Sequence, residues 1–145
     1  MYVEFIGMKE SIIIKNQIEE LEKISNRIDI IAEEWNLKPK DALNINLVIE
    51  ELIANTIFYG YNDTNEHEIT VNLSLEKNKL SIQIEDDGNE FNPLEVNNVT
   101  STGKSIEERE IGGLGVLLVK SLTDAANYQR IENRNIITLE KNIGN

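Results

Sequence analysis

The chain contains no cysteine, only two prolines and a single histidine, and aromatic residues make up 6% of its 145 positions. Without cysteine there is no disulfide framework and no thiolate nucleophile or thiolate metal site. Two prolines, Pro39 and Pro93, leave no room for a proline-rich linker, and neither a repeat nor a low-complexity tract is visible. No apolar run approaches the roughly 20 residues that span a bilayer. Met1–Glu10 carries Glu4 and Glu10 and no basic start to a long apolar stretch, so it does not read as a signal peptide. Basic residues are scarce too: 14 Lys and Arg against 26 Asp and Glu set the net charge at −12. Phosphate neutralisation over a broad surface needs clustered cations, so direct nucleic-acid binding is not expected. A soluble cytoplasmic protein without a membrane segment is the expectation.

What is present is enough apolar residue, 40%, to fill one core, in a chain of one domain's usual length. Ser11–Lys15 is β-branched and reads as a strand. Asn16 followed by Glu19 resembles a capping box, and Ile18, Leu21, Ile24, Ile28, Ile31 and Trp35 then recur at helical steps. A second helix is expected from Pro39, a favourable first-turn residue, to about Tyr59. Ile69, Val71, Leu73 and Leu75 alternate with polar residues, as do Leu80, Ile82 and Ile84, which predicts an antiparallel pair turning at Glu76–Asn78. Patterning is absent from about Asn89 to Ile111, a length typical of a functional lid or a disordered segment. A helix over Val116–Leu122 and two strands, about Ala126–Glu132 and Asn135–Glu140, close the chain. The order β-α-α-β-β-lid-α-β-β describes an α+β fold: a two-layer sandwich, with one face of the sheet covered by helices.

Three blocks hold chemistry. Glu51 and Asn55 are four apart in the second helix and so emerge on one face. An Asn carbonyl suits Mg²⁺, and a carboxylate one turn away can orient or deprotonate a hydroxyl; the spacing alone also fits a solvated Glu and an interior Asn. Asp86-Asp87-Gly88 follows a strand, where a carboxylate can accept from an exocyclic amine and glycine admits close approach or positive φ, although acidic turns are common. Gly112-Gly113-Leu114-Gly115 opens a helix whose first-turn N–H groups and dipole favour phosphate, or else it is a flexible connection. Gly103-Lys104-Ser105 lacks the rest of a P-loop and is set aside.

In this order the blocks resemble the N, G1 and G2 boxes of the GHKL ATPase superfamily, and in particular its small anti-sigma factor serine/threonine kinase branch, typified by RsbW and SpoIIAB. The resemblance runs from about Ile12 to Leu139, on Glu-Leu-Ile-Ala-Asn-Thr-Ile-Phe-Tyr-Gly-Tyr (51–61), Asp-Asp-Gly-Asn-Glu-Phe-Asn-Pro-Leu (86–94) and Gly-Gly-Leu-Gly-Val-Leu-Leu-Val (112–119). It departs where Glu90 replaces a common second glycine and Tyr59 a histidine. The resemblance implies a Bergerat ATP-binding fold, with a mostly antiparallel mixed sheet under about three helices, as one domain over 1–145 with an ATP lid at about 89–111. It implies Glu51 as catalytic base in preference to Glu50, Asn55 as the Mg²⁺ ligand and Asp86 as the adenine reader, with Gly88 giving the base room. Gly112, Gly113, Leu114 and Gly115 would then hold the phosphates, and Thr138 would assist adenine through water. The implied activity is transfer of the ATP γ-phosphate to a Ser of a STAS-type antagonist by a protein that also binds a sigma factor and forms a homodimer. The open sheet face and first helix are the expected partner surfaces. An ATP-dependent binding module without transfer is the alternative. A histidine kinase is disfavoured, since His67, at the start of a strand, is assigned to surface packing.

Overall fold

The computed structural model describes residues 7–95 and 113–144. Strand β1 (Met8–Lys15) leads into helices α1 (Glu20–Glu34) and α2 (Pro39–Tyr59). Strands β2 (Glu68–Glu76) and β3 (Lys79–Asp86) form a hairpin, a single 3-10 turn covers Pro93–Glu95, and helix α3 (Gly113–Leu122) precedes the hairpin β4 (Ala125–Ile131) and β5 (Arg134–Asn142). The five strands lie in the order β1-β2-β3-β5-β4.

All four pairings are antiparallel, where a partly mixed sheet was expected. The reason is the placement of β5. Strands β3 and β4 run the same way across the α3 connection, but β5 is inserted between them, so the parallel pair never touches. The β4–β5 turn is made by Glu132 and Asn133, with φ of 49° and 65°. Two left-handed central residues match the twist of a hairpin, which sets the turn one residue earlier than the sequence suggests.

Period-two patterning sorts the sheet into two faces. Ile12, Ile14, Ile69, Val71, Leu73, Leu80, Ile82, Ile84, Ile137 and Leu139 are buried under the helices. They meet Ile24, Ile28, Ile31 and Trp35 of α1 and its C-cap, and Ile45, Ile49, Leu52 and Ile53 of α2. The other face is polar, with Ser11 Oγ donating to Asn72 Oδ1 at 2.7 Å and Asn72 Nδ2 to Gln83 Oε1 at 3.3 Å. Among the described residues no helix is long and apolar enough to cross a membrane.

Helix α1 begins a turn later than Asn16 suggested, and no side chain caps it. Asn16 instead extends the β1–β2 ladder: its N–H donates to the His67 carbonyl at 3.0 Å, and its Oδ1 accepts from the His67 N–H at 2.9 Å. Ile18 consequently stays exposed. At the other end Asn36 adopts φ 56°, and the bonds Asn36 N–H to Glu33 O and Leu37 N–H to Ala32 O complete a Schellman stop before Pro39.

The start of the expected lid is tied to the body. Asn89 N–H donates to Gly60 O at 2.8 Å, Phe91 N–H to Asn135 Oδ1 at 3.2 Å, and Leu94 is buried. The rest of that segment and Gly112 lie outside the described residues.

Candidate nucleotide site

Helix α2 is the element on which the blocks meet. Halfway along it, the Glu51 side chain lies directly against Gly115 in the first turn of α3: a Cβ added at Gly115 would collide with Glu51 Cγ, Cδ and Oε2. Glycine at 115 leaves Glu51 its position, because the carboxylate fills the volume that a Cβ would take. Glu50, the rival base, turns the other way. Burial and then the charge of Asp29 raise its pKa, so it faces α1. One turn beyond Glu51, Asn55 is 0% exposed, and neither its Oδ1 nor its Nδ2 has a hydrogen-bond partner among the described residues. Its neighbour Thr56 is equally buried but donates to Leu52 O at 3.0 Å. An unmade bond on a buried polar group costs about 1–3 kcal/mol, so a fully orphaned carboxamide marks a place for a ligand. Among the described residues no cluster of three or more His, Cys, Asp or Glu is arranged to hold a metal. A cation here would rest on Asn55 and on ligand oxygens, a donor set that fits Mg²⁺.

Gly115→Ala is expected to leave the fold intact, because the obstacle is a side chain that can swing away, while displacing Glu51 from its position. Turnover should fall, and unfolding should cost about 1–3 kcal/mol less than in the parent. In a Glu51→Ala background the same substitution should cost little, which a double-mutant cycle on thermal stability would read. Additive losses would mean that the two residues do not share the space.

At its C-terminal end α2 meets the turn after β3. Asp86 closes β3 at 2% exposure. Its Oδ1 accepts from Gly88 N–H at 2.8 Å and from Asn135 Nδ2 at 2.9 Å, and no described residue donates to Oδ2. Burial pushes the Asp86 pKa up, while these two donors pull against it. Gly88 has no left-handed φ, contrary to one of the reasons expected for it. Close approach is what demands glycine: a Cβ there would lie 2.5 Å from Gly60 O and 3.1 Å from Tyr61 Cε1. The contacts of α2 at Glu51 and Gly60 are nine residues apart, roughly 14 Å along a helix rising about 1.5 Å per residue. That suits an extended nucleoside triphosphate.

Thr138 is not part of this site. It pairs with Gln83, and its neighbours Ile137 and Leu139 are the buried ones, so Thr138 stands on the open polar face. There it helps line a concavity of about 550 Å³ with Ser11, Asn72, Ser81 and Gln83. The β5 residue paired with Asp86 is Asn135, 1% exposed, which the reading of the sequence missed. Its signal was available: in Asn135, Ile137, Leu139 a polar residue takes an inward-facing position of an alternating strand. Gly113 and Leu114 lie in the first turn of α3, where backbone N–H groups lack intrahelical partners.

His67 does more than pack. It stacks on Tyr61 with ring centres 4.6 Å apart, its Nε2 lies 2.9 Å from Asp63 Oδ1, and its Nδ1 lies 3.0 Å from Asp87 Oδ1. The bond with Asp63 raises the His67 pKa, burial opposes this, and Asp87 adds to the rise. When protonated, the imidazole donates to both carboxylates and clamps the loop after α2 to the turn beside Asp86. A histidine whose folded pKa is raised stabilises fully below its ordinary value of 6.5, and the gain is lost as pH rises through the folded value. The parent should therefore melt above His67→Gln at pH values below 6.5, with the gap narrowing as pH rises through the raised folded value. A gap that does not vary with pH would show that no charged clamp exists.

Known proteins resemble the chain in sequence and in fold. The profile of the histidine kinase-like ATPase domain matches residues 14–141. The chain is similar to the serine-protein kinase RsbW of Listeria monocytogenes, 28% identical over 90 residues covering 56% of this chain and 54% of that protein. It is also similar to RsbW of Bacillus velezensis, 24% identical over 93 residues, covering 61% and 58%. The chain thus spans about half the length of the curated relatives it matches. Among solved structures, the RsbU and RsbW domains of Rv1364c from Mycobacterium tuberculosis superimpose with a TM-score of 0.67 at 16% identity, covering 94% of this chain and 32% of that one. The SiaB–SiaC complex from Pseudomonas aeruginosa gives 0.54 at 13% identity, covering 90% and 88%. At such identities these two speak for the fold alone.

Proposed function

The chain belongs to the histidine kinase-like ATPase family, and from that premise we propose that it is a Mg-ATP-dependent protein serine/threonine kinase acting in partner-switching regulation of a sigma factor. The observation that carries this reading is the convergence on α2 of the first turn of α3, through Glu51 and Gly115, and of the Asp86–Asn89 turn, through Gly60. Residues 1–145 then form one ATP-binding domain.

Each residue has a task in this scheme. Asp86 Oδ2 accepts from the adenine amino group while Gly88 leaves the base its room. The open N–H groups at the start of α3, at Gly113, Leu114 and Gly115, receive phosphate oxygens, aided by the helix dipole. Asn55 Oδ1 holds Mg²⁺, which when bound neutralises phosphate charge. Glu51 takes the proton of the attacking Ser hydroxyl, and positioning with charge neutralisation supplies most of the remaining rate. Local binding by backbone and metal is how a chain of net charge −12 accommodates an anion.

The names of the RsbW relatives support serine as the acceptor. The SiaB–SiaC structure, a complex within the same fold, supports a protein partner; a STAS-type antagonist, a sigma factor and a second copy of the chain are the partners proposed. Incubation with a STAS-type antagonist and radiolabelled Mg-ATP tests the scheme. Label on Ser that disappears in Glu51→Gln is the expected result. Mg-ATP-dependent association without label would identify a binding module, and the absence of both label and association would end the proposal.

A further inference from the structure

Asn135 uses its hydrogen-bonding capacity to join the turn that carries Asp86 to strand β4. Its Nδ2 donates to Asp86 Oδ1 at 2.9 Å and to the Asn89 carbonyl at 2.8 Å. Its Oδ1 accepts from Phe91 N–H at 3.2 Å, Tyr128 OH at 2.6 Å and Arg130 Nη1 at 3.1 Å. Three donors converge on one end of the amide and two acceptors on the other, so a flipped carboxamide would be opposed by Phe91 N–H, Arg130 Nη1, Asp86 Oδ1 and the Asn89 carbonyl, and tolerated only by the Tyr128 hydroxyl. Arg130 Nη1 also donates to Gly88 O at 2.8 Å, which ties the next peptide to the same frame.

The consequence for Asp86 is directional. With Gly88 N–H and Asn135 Nδ2 both on Oδ1, the carboxylate cannot rotate without breaking two buried bonds, and Oδ2 is the oxygen left to a ligand. We propose that Asn135 is a specificity-determining positioning residue: by occupying Asp86 Oδ1 it presents Oδ2 as a fixed acceptor, which selects purines with an amino group at C6 over those with hydrogen or a carbonyl oxygen there. The inference rests on the reading that Asp86 faces the base of a bound nucleotide. Hydroxyl or apolar residues at 135 could fill the space but could not bridge Asp86 and Asn89 with two donors.

Calorimetric titration of the full chain with Mg-ATP, with the Mg²⁺ complex of purine riboside triphosphate, which lacks the 6-amino group, and with Mg-GTP tests this. The parent should prefer ATP to the purine analogue by about 10- to 100-fold, the worth of one bond to a charged acceptor, and should disfavour GTP further. In Asn135→Ala the preference should shrink to within about threefold, while affinity for the analogue changes little. A merely structural role would weaken both nucleotides together and leave the ratio intact, which overturns the proposal. Should the alanine variant not fold, Asn135→Asp keeps the size and replaces the donor by an acceptor; a collapsed ratio there supports the proposal and an intact one overturns it. A parent that binds ATP and the analogue equally would remove the reading of Asp86, and the role of Asn135 with it. Discrimination retained in both variants would remove only the latter.

Discussion

Asp86→Asn should lose about 100-fold in Mg-ATP affinity while the nucleotide-free protein melts at the same temperature or higher. The two side chains are nearly isosteric, and Oδ1 of the asparagine can still accept from Gly88 N–H and Asn135 Nδ2. What changes is the other position, where an acceptor becomes an NH₂ that meets the adenine amine donor to donor. Stability should move the opposite way because burial raises the Asp86 pKa above its ordinary 3.8. An acid with a raised folded pKa carries no penalty below its unfolded value, accrues one as pH rises through the window up to the folded value, and retains it at neutral pH. Asparagine removes that penalty. Thermal unfolding reads both effects: ligand at one hundred times its dissociation constant adds about 2.7 kcal/mol in the parent, and the same concentration should add only about 0.4 kcal/mol in the variant. A destabilised apo variant that keeps its nucleotide shift would place Asp86 in the frame of the fold and outside the ligand site.

Glu51→Gln is expected to reduce phosphate transfer by about 10²–10⁴-fold and to change Mg-ATP affinity by less than about threefold. The amide keeps the shape that fits against Gly115 but cannot take a proton. Glu50→Gln is the natural control. It sits beside Asp29 in the α1–α2 contact, and its replacement should leave transfer within about twofold of the parent. Single-turnover measurement with saturating nucleotide separates chemistry from binding. Equal losses in both variants would mean that the effect comes from the electrostatics of the helix and not from one placed base.

Much of this protein is legible in one dimension. The steps of three and four in α1, the alternation in β2 and β3, and the proline that opens α2 are local patterns, and each element lies where those patterns put it except for the first turn expected of α1, which Ile18 was to open. The N, G1 and G2 blocks could also be read locally, since Glu51 and Asn55 share a helix face whatever surrounds them, and the family profile agrees with that reading. The errors have a common form. Asn16 looked like a helix cap, but β2 brought the His67 backbone within reach and took its carboxamide. Thr138 looked like a ligand contact, but its parity in β5 turns it to the open face.

Sequence alone determined the elements, the acidic surface and the three blocks, because helix and strand periodicity, net charge and motif spacing are properties of neighbouring residues. Tertiary structure decided the register of β5 against β3, and with it the choice of Asn135 over Thr138. It also decided that Glu51 rather than Glu50 meets Gly115, and that His67 lies between two carboxylates. Those outcomes depend on groups up to 64 positions apart being packed into one volume, as with Glu51 and Gly115. A one-residue slip in pairing would have exchanged the faces, and no local pattern carries that information.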